Sequence, residues 1–367
     1  MIEVADIFRQ HGPAYQASHS LLPSQIRALR DIQHCRTAFF GGQLVQCDHC
    51  ARQHFAYHSC KNRHCPKCHG EQTQAWLDKQ RDRLLPVPYY LLTFTLPAAL
   101  RPLAFAQQQL LYGTLLRCAA DAVLKLAADP QHLGATPTIL AVLHTWTRAL
   151  LYHPHVHLLV SAGGLSLDQQ SWVFPKNPAF LVPVRALSVI FRAKVRDALQ
   201  KKVNMSAPLA QKCWAQPWVV HCQHAGSGDK VLEYLARYLF RVAISNSRIK
   251  AFDHGQVTFA YRDNRTQLPC QVTLPGEQFI DRFLRHVLPQ GFRKVRHYGL
   301  ASATRHDALE KARSLLTPST ASVAPAPEPT SQAPAPTAHG ELPLCPSCRL
   351  GHLIFIQSIR PQRRHPP

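Results

Sequence analysis

The sequence has 367 residues, 46% of them hydrophobic, which is enough for two or three domains with buried cores. No apolar run approaches the roughly 18–20 residues of a membrane helix, and the acidic N-terminus MIEVADIFRQHG is unlike a secretion signal, so we expect a cytosolic protein with no membrane partner. The 42 Lys and Arg residues outnumber the 21 Asp and Glu residues, giving a formal net charge of +21. This excess favours a polyanion as partner, and nucleic acid is the first candidate.

Changes in composition along the chain predict four regions. They are a cysteine-rich N-terminal domain (residues 1–85), a strand–helix domain (86–316), a Pro/Ala-rich linker (317–340) and a basic tail (341–367). Helices are expected over residues 1–34 and 71–85 in the first region. In the second, alternating sequences predict one hairpin from residues 136–146 and 155–164, and another from 255–263 and 269–275.

Twelve cysteines in a cytosolic chain argue for metal binding or burial rather than for disulfides. Cys47, Cys50, Cys65 and Cys68 form two C-x2-C pairs separated by fourteen residues, the spacing of a structural zinc site. Cys60 in place of one of these ligands, or a second ion, is the alternative. The CPSC sequence at residues 345–348 offers half a site, with His352 as a candidate third ligand and no clear fourth, so we interpret it as a degenerate knuckle.

Three histidines alternate within the apolar run LLYHPHVHLLVSAGG, residues 150–164. On a strand, His155 and His157 share a face with their backbones about 7 Å apart, so their rings can converge on one metal ion. His153 precedes Pro154 and is expected at the mouth of the strand. The alternative is a structural histidine pair that binds no metal.

The segment DKVLEYLARYLFRVAIS, residues 229–245, predicts a helix with an apolar stripe. Tyr234 and Tyr238 are four residues apart and therefore share one face, as do Arg237 and Arg241. Taken alone, the tyrosines could equally lie at the boundary of a core.

Together these motifs resemble the two-tyrosine HUH transposases of the insertion sequence ninety-one family. The similarity extends over residues 10–310 and includes CRTAFFGGQLVQCDHC, HTWTRALLYHPHVHLLVSAGG, YLARYLFRVAISNSRI and FLRHVLPQGFRKVRHYG. It implies an α+β fold: a zinc-binding module before an HUH-type palm, an antiparallel sheet of about five strands with packed helices. It also implies rolling-circle transposition of single-stranded DNA, with no small-molecule cofactor.

The resemblance assigns roles to particular residues. Tyr234 and Tyr238 would form 5′-phosphotyrosine intermediates, and His155 and His157 would hold catalytic Mg²⁺ or Mn²⁺. The third ligand stays open among His144, His153 and Glu233. Four basic residues are expected on DNA phosphates: Arg237, Arg241, Lys294 and Arg296.

Two other functions fit parts of the sequence. One is a zinc-dependent DNA-binding protein without catalysis, such as a decayed transposase or a regulator. The other is a barrel-type metal-dependent hydrolase, which the positive charge and the absence of repeated strand–helix units disfavour.

Overall fold

The computed structural model describes residues 2–68, 80, 83–177, 181–227, 242–263, 266–317 and 342–362. The helices in these ranges are α1 (Val4–Ser18), α2 (Pro23–Gln33), α3 (Arg101–Ala106), α4 (Gln108–Ala127), α5 (Val184–Gln200), α6 (Ala207–Trp214), α7 (Gly276–Leu284) and α8 (His306–Leu316). None of them is long and apolar enough to cross a membrane.

The strands of the described residues form four sheets. They are β1 (Gly42–Cys47), β2 (Gln53–Tyr57), β3 (Pro88–Thr95), β4 (Ala135–Thr136), β5 (Thr138–Trp146), β6 (Tyr152–Ser161), β7 (Gly164–Ser166), β8 (Trp172–Val173), β9 (Val220–Ser227), β10 (Ile249–Asp253), β11 (Gln256–Arg262), β12 (Pro269–Pro275), β13 (Val295–Gly299) and β14 (Leu353–Ile359). The predicted hairpins are confirmed as β5–β6 and β11–β12.

A five-stranded sheet in the order β13-β5-β6-β3-β9 lies at the centre of the chain, and all its pairings are antiparallel. This confirms the predicted α+β class and the sheet of about five strands. An open antiparallel sheet also excludes the barrel-type hydrolase.

The alternation in β6 explains how its histidines are placed. Val156, Leu158 and Val160 are fully buried in the largest hydrophobic cluster, which includes residues of α4 and α5. Because side chains alternate along a strand, His155 and His157 lie on the opposite face of the sheet. Helices α4 and α5 therefore cover one face, and the histidines lie on the other face, part of which is covered by α8.

The N-terminal helices pack against a helix of the C-terminal half of the chain. Phe8 of α1 and Phe283 of α7 are buried in one cluster, with ring centroids 5.1 Å apart in an edge-to-face arrangement. Gln25 of α2 donates a hydrogen bond to the carbonyl of Leu284 at 3.1 Å. The apolar faces of α1 and α2 are therefore buried against residues 249–287.

The C-terminal tail pairs with a strand of the N-terminal region. Strand β14 pairs antiparallel with β1, so that the third sheet has the order β14-β1-β2. Local sequence patterns could not predict this pairing, because it joins residues about 300 positions apart. The predicted helix 71–85 lies mostly outside the described residues, as does the predicted linker.

Candidate active site and cysteine clusters

Three histidines from neighbouring strands meet on one face of the central sheet. His144 of β5 is paired directly with His155 of β6, and His157 lies two residues further along β6. One ring nitrogen from each lies within 4.8 Å of the other two. Of the residues considered as the third ligand, the structure places His144 in this cluster.

Hydrogen bonds orient two of these rings. His155 Nδ1 lies 2.7 Å from the carbonyl oxygen of His153, which can only accept, so Nδ1 carries the proton and Nε2 presents a lone pair. His157 Nδ1 lies 3.0 Å from the hydroxyl of Thr93 on β3. Such contacts at the second ring nitrogen are typical of histidines that bind metal.

The protonation of the cluster suits metal binding as well. Burial lowers the pKa of His155, and burial together with neighbouring His155 lowers the pKa of His157 to about 3. Both imidazoles are therefore neutral at pH 7, the form that binds a metal ion. The donor set fits a divalent cation.

His153 has a different partner. The guanidinium of Arg101 donates to His153 Nδ1 at 2.7 Å. Burial is the main cause that lowers the pKa of His153 to about 4, with His155 and Arg101 adding to it. Its ring is outside the three-histidine cluster, although its carbonyl orients His155.

A cavity of about 300 Å³ opens over the histidines, and two arginines line it. Arg148 follows β5, and Arg248 precedes β10. Arg248 donates to the carbonyl of Arg148 and to that of Ala260, the latter at 2.9 Å. Sequence reasoning missed both arginines: they lie within motifs quoted above, but their spacing gives no sign that they meet, and only the fold brings them to the histidines.

Lys294 and Arg296 are not among the residues that line the histidine cavity. Arg296 lies over the ring of Phe292, which is buried on the helix-covered side of the sheet, and lines another cavity of about 830 Å³. Burial, with Arg63 as a second cause, lowers the pKa of Lys294 to about 8. Their role in DNA binding stays a prediction. Tyr234, Tyr238, Arg237, Arg241 and Glu233 lie outside the described residues.

Eight of the twelve cysteines form two clusters, which corrects the predicted grouping. Cys65 and Cys68 lie with Cys35 and Cys60, whereas Cys47 and Cys50 lie with Cys345 and Cys348. In each cluster the sulfurs are within 4.8 Å of one another. The two predicted C-x2-C pairs therefore belong to different sites. Each pair lies beside two other cysteines and not beside the other predicted pair. Cys60, the suggested alternative ligand, is a member of the first cluster.

Comparison with known proteins agrees with this architecture. Residues 138–308 match the family model "Putative transposase", and residues 7–96 match the model "Transposase zinc-binding domain". The putative transposase y4qJ of Sinorhizobium fredii is 40% identical to this chain, over 97% of this chain and 95% of its own length. The transposase for insertion sequence element IS801 of Pseudomonas savastanoi pv. phaseolicola is 33% identical, over 75% of this chain and 70% of its own length.

The chain belongs to the transposases of the insertion sequence ninety-one family. The predicted family and the predicted enzyme class are thus confirmed. Among solved structures, the conjugative relaxase TrwC in complex with oriT DNA matches 61% of this transposase and 71% of that chain, with 16% identity and a TM-score of 0.26. That likeness is too distant to bear on the chemistry.

The first cysteine cluster lies wholly within the matched zinc-binding domain. Structural zinc is therefore part of this transposase, as predicted, although the four cysteines that lie together are not the predicted four. The second cluster takes two of its cysteines from outside that domain.

Proposed function

We propose that this transposase nicks and rejoins single DNA strands through 5′-phosphotyrosine intermediates, in transposition of the rolling-circle type. The observation that carries the proposal is the cluster of His144, His155 and His157 beneath a cavity lined by Arg148 and Arg248. Neutral imidazoles offer sites for a divalent ion, and guanidinium groups beside them suit a phosphodiester.

The histidines would hold the catalytic ion through one ring nitrogen each. When bound, the ion would polarise the scissile phosphate and stabilise the leaving 3′-oxygen. The family resemblance implies Mg²⁺ or Mn²⁺, and three imidazoles favour Mn²⁺ because Mg²⁺ prefers oxygen ligands. Thr93 and the carbonyl of His153 would keep the rings of His157 and His155 oriented.

Tyr234 and Tyr238 are the proposed nucleophiles. A bond would form between the phenolic oxygen and phosphorus as the bond to the 3′-oxygen breaks; the phenol loses its proton and the 3′-oxygen gains one from solvent. The residues that flank the tyrosine segment support this assignment. Ser227 ends β9, an edge strand of the histidine sheet, and Ile244 is buried in one cluster with Leu150, which lies between β5 and β6.

The phosphotyrosine bond would conserve the energy of the broken phosphodiester bond, so that the DNA strand can be rejoined. Two tyrosines would allow two successive strand transfers. Arg148 and Arg248 would contact phosphates at the cleavage site, a role that positions the strand without reading its sequence.

A groove near the first cysteine cluster supports binding of single strands. Its volume is about 1010 Å³, and its lining includes aromatic and basic side chains: Phe40, Phe55, Tyr57, Arg36, Lys61 and Lys67. Phe55 and Tyr57 lie parallel with ring centroids 5.9 Å apart. Exposed aromatic faces stack on unpaired bases, while the cations bind the backbone.

A covalent-adduct assay tests the proposal. The transposase with Mn²⁺ and a labelled single strand carrying the end of its element should give a protein–DNA species that survives a denaturing gel. Tyr234→Phe combined with Tyr238→Phe should abolish this species, whereas either single variant should nick but not complete transfer. Tyr261→Phe, a change of the same kind on β11, is the matched control and should leave the adduct unchanged.

The metal site is tested in the same assay. His144→Ala should abolish nicking while DNA binding persists, because the histidine serves the chemical step. His254→Ala is the control, since the His254 side chain is 91% exposed. If the double Phe variant still forms the adduct, the nucleophile lies elsewhere; DNA binding with no adduct under any condition would instead favour a non-catalytic DNA-binding protein.

A further inference from the structure

The second cysteine cluster joins two distant parts of the chain. The sulfurs of Cys47 and Cys348 are 3.6 Å apart, and those of Cys50 and Cys345 are 3.8 Å apart. A disulfide would bring two sulfurs to about 2.05 Å. Four sulfurs that bind one zinc ion at about 2.3 Å lie about 3.8 Å apart in a tetrahedron. The spacing therefore fits a metal site rather than disulfides.

Both halves of the cluster have the same backbone shape. The residue after each pair, Ala51 or Arg349, has a positive φ, 56° and 59° respectively. The N–H of Ala51 donates to the carbonyl of Cys47 at 3.1 Å, and the N–H of Arg349 donates to that of Cys345 at 2.9 Å. Positive φ is uncommon outside glycine, so its repetition after both pairs indicates a required turn geometry.

Backbone N–H groups also point at the sulfurs. Those of His49 and Cys50 lie 3.4 Å from Cys47 Sγ, and that of Gly351 lies 3.5 Å from Cys348 Sγ. Such donors stabilise negative charge on sulfur, which metal binding requires because the ligand is the thiolate. The cluster is thus prepared for deprotonated cysteines.

The two halves fit closely against one another. The carbonyl of His352 accepts from the N–H of Asp48 at 3.1 Å, and the N–H of His352 donates to the Asp48 carboxylate at 2.7 Å. A Cβ on Gly351 would lie 2.7 Å from Cys47 Sγ, closer than real Cβ atoms approach other atoms. Glycine is needed here because the backbone passes directly beside a ligand.

Hydrophobic burial contributes little to holding the tail. The central side chains of β14, Ile354, Phe355 and Ile356, are 45%, 53% and 47% exposed. Cys345, by contrast, is 1% exposed, and its sulfur lies 3.5 Å from His54 Nε2. The buried members of this contact are Cys345 and Cys47, whereas Cys348 is half-buried and Cys50 is exposed.

We propose that Cys47, Cys50, Cys345 and Cys348 bind a second structural zinc ion, which fastens the segment of residues 342–362 to the N-terminal zinc-binding domain. Four thiolates are a closed ligand set that favours zinc and leaves no position for a substrate. The site crosses from the matched zinc-binding domain to a segment outside it. This proposal does not depend on the tyrosine chemistry.

Metal analysis is the first test. The purified full chain should contain two zinc ions, and Cys345→Ser with Cys348→Ser should contain one. Cys47→Ser with Cys50→Ser should show the same loss. Cys222→Ser with Cys270→Ser removes two cysteines outside both clusters and should retain two ions. A zinc content unchanged by both site variants would overturn the proposal.

A release assay tests the fastening. A specific protease site is introduced between residues 318 and 341, and the chain is cut after purification with zinc. The fragment carrying residues 342–362 should co-elute with the remainder in size-exclusion chromatography and separate after chelation. Cys348→His, which keeps a zinc ligand, should still co-elute if the serine variants fail to fold. A fragment that stays attached after chelation would show that strand pairing alone holds it, and would overturn the fastening role.

Discussion

At the scale of single residues, the orientation of the histidine rings rests on contacts outside the three-histidine cluster. His155 is held by a backbone carbonyl, whereas His157 depends on the side chain of Thr93. The Thr93 hydroxyl can be removed by substitution without changing the backbone. Substituting a residue that hydrogen-bonds to a metal-binding histidine commonly changes metal affinity 10–100-fold.

Thr93→Val should therefore weaken Mn²⁺ binding by about 10-fold or more and lower nicking at limiting metal, with recovery at high metal. Thr95→Val is the matched control, because Thr95 lines the same cavity, whereas the hydroxyl that contacts His157 Nδ1 belongs to Thr93. Isothermal titration of Mn²⁺ compares the two variants. Equal affinities would show that Thr93 does not orient His157.

His286 is a buried histidine whose two partners accommodate the neutral ring. Its Nε2 lies 3.3 Å from the carbonyl of Leu150, and its Nδ1 lies 3.3 Å from the Thr145 hydroxyl. One nitrogen must donate and the other can accept, as in neutral imidazole. Burial, the largest cause, lowers its pKa to about 4.

This shift predicts how stability depends on pH. The unfolded chain takes up a proton near pH 6.5, whereas the folded chain does so only near pH 4, so the free energy of unfolding should fall as the pH drops through this window. The slope from one such group is at most about 1.4 kcal/mol per pH unit. Urea unfolding of the native chain and of His286→Gln, measured from pH 7 to pH 4, should show a shallower dependence in the variant. Identical slopes would contradict the assignment.

At the scale of elements, local sequence patterns predicted the hairpins but not the contacts between segments far apart in the chain. The alternation of apolar and polar residues predicted β5–β6 and β11–β12, because each hairpin depends on neighbouring segments. It also placed His155 and His157 on one face. His144 could be named only as one of three candidates, because its register against His155 depends on the loop that joins the strands.

The grouping of the cysteines could not be predicted from local sequence patterns. The spacing of each C-x2-C pair indicates a metal site but not which pairs combine. Cys65 and Cys68 join Cys35 and Cys60, while the partner of Cys47 and Cys50 lies in the tail. Arg148 and Arg248, 100 residues apart, meet for the same reason: the folded chain, not a motif, brings them together.

The packing of α1 against α7 predicts that the N-terminal region unfolds together with the rest of the chain. Phe8 is fully buried against Phe283. Phe8→Ala should lower the free energy of unfolding of the whole chain by about 3–5 kcal/mol, the range for a buried Phe. Leu22→Ala, at a residue that is 50% exposed, is the control and should have a small effect. Chemical unfolding followed by both tryptophan fluorescence and circular dichroism makes the comparison. A loss confined to a separate early transition would indicate an independent module after all.

At the scale of the whole molecule, the C-terminal segment completes the sheet of the N-terminal domain. Without β14, one edge of β1 loses its partner, and Cys47 and Cys50 lose half of their cluster. The central sheet, by contrast, receives no strand from this segment. Removing the segment should therefore act on one sheet and spare the other.

Truncation after Leu316 should raise amide hydrogen exchange over residues 42–57 by at least 10-fold, while residues 138–161 keep their protection. The first range loses a strand and a set of thiolates, whereas the second is buried between β3 and β13. The matched control keeps residues 342–367 and replaces 318–341 by a Gly/Ser sequence of equal length, which tests the length of the connection without its composition. That control should exchange like the native chain, because the contacts of β14 and of Cys345 and Cys348 are retained. Unchanged protection over residues 42–57 in the truncated chain would show that β1 and β2 are stable without the tail, and that the first cysteine cluster alone maintains the N-terminal domain.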